Sequence, residues 1–200
     1  VEFTRELAVL DARSPHGQAA VYPVVETVQV DGIYREVFAP AAIREDHALA
    51  AQQAALRIAE GLGVPGGFAV EMFYTPAGVL VNALAMRPHN RGHWTIEGAH
   101  TSQFENHVRA VLGMPLGNGE ARGVSAMFNW IGDLPDPAPV LRTVDAHWHD
   151  YGKQARPGRK VGHATLCAPT SAALADRLAD VATTLDRLPQ AQPALDALTR

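Results

Sequence analysis

The sequence predicts an α+β protein. Through most of the first half apolar residues recur with a period of two, further stretches switch to helical spacing with recognisable caps, and turn signals join neighbouring strand candidates. Residues 6–13 and 20–28 read as strands joined at Ser14-Pro15-His16-Gly17, a turn signal in both its proline and its glycine. Residues 33–38 form a third strand, introduced by Asp31-Gly32 and stopped by Pro40. Over 41–62 the spacing of Ala48, Ala51, Ala55, Ile58 and Leu62 is helical, with Gly63 as a C-terminal cap. Residues 68–74 and 79–85 make a hairpin across 75–78. That register sets Glu71 about opposite Asn82 and Ala83, as cross-strand neighbours about 5 Å apart.

Beyond the hairpin, Ser102 and Glu105 form a capping box that opens a helix through Leu112, with Phe104, Val108 and Val111 on its buried face. The glycine-rich stretch 116–120 looks like a boundary, which divides the chain into 1–116 and 117–200. Short strands are expected at 123–131, 145–148 and 161–166, separated by the proline-rich 133–139. A final helix, capped by Thr170 or Ser171, carries Leu174, Leu178, Val181 and Leu185 on one face. The Pro/Gln/Ala tail after it is expected to fray at its end.

Composition fits a piece of a soluble, cytoplasmic enzyme. With 200 residues, 47% hydrophobic and 19% charged, the chain can bury a core as one large domain or two small ones. No apolar run reaches the roughly 18 residues a membrane span needs, and no basic-then-apolar leader opens the chain. A lone Cys167 excludes an internal disulfide framework.

Two stretches carry chemistry. Residues 82–95 pack Arg87, His89, Asn90, His93 and Trp94 into a loop that needs only Pro88 and Gly92 to turn. The polar groups offer convergent donors suited to a small oxyanion, against the blander alternative of a solvated surface loop. Residues 153–163 gather Lys153, Arg156, Arg159 and Lys160 around a Pro-Gly turn, in a chain whose formal net charge is -4. Local basicity on an acidic background suits a phosphate, although a solvated charge run has the same composition. Nucleic acid is not expected, because nothing else in the chain is basic.

In this order the two stretches resemble the carboxy-terminal half of the N5-carboxyaminoimidazole ribonucleotide synthase family, ATP-grasp enzymes of purine biosynthesis. The resemblance rests on Asn82, Ala85, Arg87, His89, Asn90, Gly92, His93, Trp94 and Thr95, then on His147 and the run 153–163. It implies the carboxy-terminal lobe of an ATP-grasp domain, an antiparallel sheet with helices, followed by a small β-rich terminal domain. It implies ATP and magnesium as cofactors, and 5-aminoimidazole ribonucleotide and bicarbonate as substrates. By the same mapping Glu6 binds the adenosine ribose, Gln29 lies near the nucleotide, Asn82 and Ala83 lie at the phosphate edge, and Glu71 is a metal ligand. Arg87, His89 and Asn90 suit bicarbonate and its developing charge; Lys153, Arg159 and Lys160 suit the ribonucleotide phosphate. An amino-terminal lobe of the same enzyme is the expected partner, and similar bacterial enzymes are dimers.

Two positions depart from the family pattern. Ala83 stands where the family has a second magnesium-binding glutamate, and Arg91 replaces a small serine beside the expected bicarbonate pocket. The expectation is therefore a chain that is catalytically impaired or inactive by itself. A non-catalytic subunit that binds purine ribonucleotides is the main alternative. A zinc hydrolase built on His147 and His149, with His89 and His93 adding ligands, is a remoter one.

Overall fold

The computed structural model describes residues 1–30 and 33–199, and the side chains of all of these except 29, 30, 33–35 and 190. In chain order the strands are β1 (Arg5–Arg13), β2 (Ala19–Val21), β3 (Val25–Val30), β4 (Ile33–Ala39), β5 (Gly66–Thr75), β6 (Gly78–Ala85), β7 (Val124–Ile131), β8 (Ala146–Asp150) and β9 (Lys160–Ala168). The helices are α1 (Glu45–Leu62), α2 (Thr95–Gly98), α3 (Gln103–Val111), α4 (Ala138–Leu141), α5 (Ser171–Thr184) and α6 (Leu188–Leu198). They form two compact units, one of Val1–Thr27 with Ala39–Arg122, the other of Val28–Phe38 with Gly123–Arg200.

In the first unit β1 pairs antiparallel with β5 along its whole length, from Arg5 opposite Tyr74 to Arg13 opposite Gly66. β6 lies outside β5, while β2 and the start of β3 take the other edge of β1. The strand expected over 20–28 is thus two strands. Pro23 has no N–H to give a ladder, so pairing ends at Val21 and resumes at Val25. Asp31-Gly32, expected to turn the chain into β4, lies outside the described residues.

Alternation along the strands gives this sheet two different faces. Leu7, Val9, Phe68, Val70 and Met72 pack against Ala51, Ala55 and Ala59 of α1, whose small side chains let the helix approach closely. Gly63 ends α1 with φ 63°, returning its N–H to the carbonyls of Ala59 and Glu60. On the other face α3 docks through His107, whose Nδ1 accepts from the N–H of Gly67 at 2.9 Å.

The buried side of α3 is not the one that apolar spacing picks out. Ser102 caps the helix as expected, accepting from the N–H of Glu105 at 3.1 Å. Yet Gln103, Asn106 and Ala110 are buried, whereas Phe104, Val108 and Val111 are 38%, 53% and 55% exposed. Hydrogen bonding decides this: Asn106 donates to Tyr22 Oη at 2.8 Å and to the carbonyl of Gly117 at 3.1 Å, and accepts from the N–H of Gly117 at 2.8 Å.

In the second unit β9 lies between β7 and β8, antiparallel to both, with β4 beside β7. Thr170 caps α5 by accepting from the N–H of Ala173 at 3.2 Å, and Leu174, Leu178 and Val181 are buried against Trp130 and Leu166. The Pro/Gln/Ala tail is helical as far as Leu198. It forms α6, and Ala191, Ala194 and Ala197 join the same core.

Candidate functional site

After β6 the chain turns at Pro88 and makes a single 3-10 turn, Asn90–Gly92, before α2. Gln103, which belongs to neither sequence motif, holds this loop. Its Oε1 accepts from the N–H of His89 at 2.9 Å; its Nε2 donates to the carbonyl of His89 at 2.7 Å and lies 3.0 Å from His93 Nδ1. Its own N–H donates to Thr95 Oγ1 at 2.9 Å, and that hydroxyl donates to the carbonyl of Gly92 at 2.6 Å. The signal in the sequence was its place just after the Ser102 cap, where a polar side chain can reach back over the preceding loop. Gly92 lies so close to the sheet that a Cβ there would sit 2.3 Å from Leu10 Cδ2 and 2.4 Å from Gln103 Oε1.

Held this way, the loop returns His89 and Arg91 over β1 and β5. His89 Nε2 lies 3.3 Å from Glu71 Oε1. Arg91 is 1% exposed, and its guanidinium reaches both carboxylates, with Nη1 at 3.1 Å from Glu71 Oε2 and Nη2 at 3.4 Å from Glu6 Oε2. Glu6 lies opposite Phe73 and Glu71 opposite Ala8, so the two acids are diagonal neighbours on one face of adjacent strands. Arg91, expected beside a bicarbonate pocket, is thus the buried centre of a four-residue ionic cluster.

The structure brings Glu6, Glu71 and His89 together and leaves other candidates apart. Ala83 lies directly opposite Glu71 and offers no oxygen; the register shifts between Glu71 and Met72, so Asn82 is the bulged residue and is exposed. Arg87 is exposed, with Nη1 donating to the carbonyl of Pro88 at 3.0 Å, and Asn90 is half-buried. Gln29 falls in β3, but its side chain lies outside the described residues.

These residues do not fit the expected magnesium ion. A hard divalent cation needs oxygen ligands, commonly one or two carboxylates with substrate oxygens. Here one carboxylate is ion-paired with an arginine and a histidine, the opposite residue is alanine, and the described residues hold no group of three or more His, Cys, Asp or Glu able to bind a metal.

In the second unit Gly158 turns the basic loop with φ 73°, and the N–H of Arg159 donates to the carbonyl of Arg156 at 3.1 Å. Lys153 is exposed, its Nζ 4.8 Å from the centre of the Tyr151 ring; Arg159 is half-buried, as is Lys160 at the start of β9. Behind them Tyr151 Oη lies 2.8 Å from Nδ1 of buried His163, and burial pushes the Tyr151 hydroxyl up to about 12. His163 stacks on His149 at 4.2 Å, while His147 is exposed. The two histidines considered for zinc both lie on β8, and His149 is engaged in ring stacking with His163.

The ATP-grasp domain family matches residues 1–104. The chain belongs to the ATP-grasp family. Residues 125–177 of this ATP-grasp chain match the phosphoribosylaminoimidazole carboxylase C-terminal domain. The N5-carboxyaminoimidazole ribonucleotide synthase of Mycobacterium tuberculosis is 52% identical over 189 residues, covering 88% of this chain and 44% of the relative. The crystal structure of N5-carboxyaminoimidazole ribonucleotide synthetase from Thermus thermophilus superposes with a TM-score of 0.90 at 48% identity, covering 94% of this chain and 53% of that one. The synthase of Aspergillus clavatus, crystallised with ADP and 5-aminoimidazole ribonucleotide, gives a TM-score of 0.86 at 35% identity over 94% of this chain and 52% of that one. The chain therefore spans about half the length of the relatives it matches. The family and fold class expected from the two motifs are borne out, while the individual residue roles belong to the proposal below.

Proposed function

We propose that the protein containing this chain is an ATP-dependent carboxylating ligase, which converts 5-aminoimidazole ribonucleotide, bicarbonate and ATP to N5-carboxyaminoimidazole ribonucleotide, ADP and phosphate. One observation carries the reading: a single chain holds both loops, in units whose relative from Aspergillus clavatus was crystallised with ADP and 5-aminoimidazole ribonucleotide.

In the first step a bicarbonate oxygen attacks the γ-phosphorus, the bond to the β-γ bridging oxygen breaks, and ADP leaves with that electron pair. In the second, the amine nitrogen attacks the carboxyl carbon of carboxyphosphate, the carbon–oxygen bond to phosphate breaks, and the amine gives up a proton. Arg87 and Asn90 hold bicarbonate from the loop, and His89, oriented by Gln103 and Glu71, faces the same developing charge. Glu6 and Gln29 contact the adenosine, and Asn82 and Ala83 lie along its phosphates. Lys153, Arg159 and Lys160 anchor the ribonucleotide phosphate. No step runs through magnesium, because the Glu71 set does not fit it. An amino-terminal lobe completing the nucleotide pocket, a homodimer and a cytoplasmic location belong to the same proposal.

The test is ADP release by the full-length protein, measured with and without bicarbonate and 5-aminoimidazole ribonucleotide. Release that depends on both supports the ligase; none, with both ligands bound in calorimetry, supports instead a purine-ribonucleotide-binding subunit without turnover. The pairing of Arg91 with Glu71 opposite Ala83 is what favours this second reading.

A further inference from the structure

We infer that Arg91 is a resident cation that closes this nucleotide site to divalent metal, so that the protein binds its nucleotide without depending on a metal ion at the β1–β5 carboxylates. The inference rests on the first unit being a nucleotide-binding lobe, as proposed above, and adds to that reading how its negative charge is balanced.

Three observations support it. First, Arg91 is not a surface cation that meets an acid by chance. It is 1% exposed, on a loop that Gln103 clamps to α3, and a buried guanidinium is tolerated only where opposite charge meets it. Second, the geometry uses the arginine fork: separate terminal nitrogens take Glu71 Oε2 at 3.1 Å and Glu6 Oε2 at 3.4 Å, while His89 Nε2 takes the other Glu71 oxygen at 3.3 Å. A metal entering here would have to displace two nitrogen-bearing partners from the one carboxylate that faces Ala83. Third, the residue opposite Glu71 has no capacity to ligate, whereas the loop carries a fixed charge.

The test uses Mn2+ as probe on the full-length protein, by calorimetry without nucleotide, beside Arg91→Ser combined with Ala83→Glu. The expected result is no saturable high-affinity Mn2+ site in the starting protein, and in the double variant one site at least about tenfold tighter. Equal Mn2+ affinity in both proteins overturns the inference, as does a folded double variant that gains nothing. Because removing Arg91 can compromise folding, a second measurement uses the unaltered protein: ADP affinity in excess EDTA against excess magnesium. A ratio below about threefold supports Arg91 as the resident cation, and a magnesium dependence of tenfold or more overturns it. Failure of ADP to bind under both conditions would instead remove the nucleotide-lobe reading on which the inference stands, while the Mn2+ titration still decides whether Arg91 excludes metal from the carboxylates.

Discussion

Arg91 shows how much one side chain can reorganise a site. Its cation is buried between Glu6 and Glu71, so Arg91→Ala would leave two largely buried carboxylates, 16% and 15% exposed, facing each other. Breaking a buried pair by removing one partner costs about 3–5 kcal/mol, and urea denaturation of Arg91→Ala should show a loss of that order. A loss below about 1 kcal/mol would mean that the pair behaves as a solvated one. Asp11 carries the opposite electrostatic risk. It is buried on β1, and burial pushes its carboxyl up to about 7 against the opposing pull of Arg13. The folded state therefore holds the proton more tightly than the unfolded chain, whose value is 3.8, so stability falls as pH rises between these values and levels off above them. Asp11→Asn removes that slope. It should stabilise the protein at pH 8 by up to about 4 kcal/mol and do little at pH 4; equal melting shifts at both pH values would show that Asp11 titrates normally.

At the scale of elements, α3 and the loop before it are set by polar contacts. Asn106→Ala removes the bonds to Tyr22 and Gly117 and should cost about 1–3 kcal/mol, while Val108→Ser, on the exposed apolar side, should cost under about 0.5 kcal/mol. Thermal melts that reversed this order would restore the apolar face as the buried one. Gly92→Ala tests the loop's approach to the sheet. The added methyl meets Leu10 Cδ2 and Gln103 Oε1 well inside contact distance, so these two buried side chains must give way or the loop that Gln103 holds must move, at a cost of about 1–3 kcal/mol. His89 would move with it, and in the full-length protein bicarbonate-dependent turnover should fall more than ADP binding does. Unchanged turnover would indicate that the position of His89 over Glu71 is unimportant to the reaction.

For the whole molecule, the proposed division of labour assigns the nucleotide to the first unit and the ribonucleotide phosphate to the second. If the full-length protein is the proposed ligase, Arg159→Ala should raise KM for 5-aminoimidazole ribonucleotide by at least about tenfold with little change in KM for ATP, the pattern of lost ground-state binding. An equal rise in both would detach the basic loop from the ribonucleotide.

Local rules determined most of the elements. The Gly63 cap, the Ser102 and Thr170 caps and the hairpin that sets Glu71 opposite Ala83 all depend on a few adjacent residues, and the two loop motifs were legible for the same reason. The break at Pro23 was also present in the sequence but was outweighed by an unbroken apolar pattern. Tertiary structure decided what depends on partners distant in sequence. The buried face of α3 turned on Tyr22, which is 84 residues from Asn106, and α6 formed because its alanines had a core to join. The role of Arg91 turned on Glu6, 85 residues away. Period and composition register one segment at a time, whereas satisfying a buried charge or amide depends on which strand and which loop the fold brings beside it.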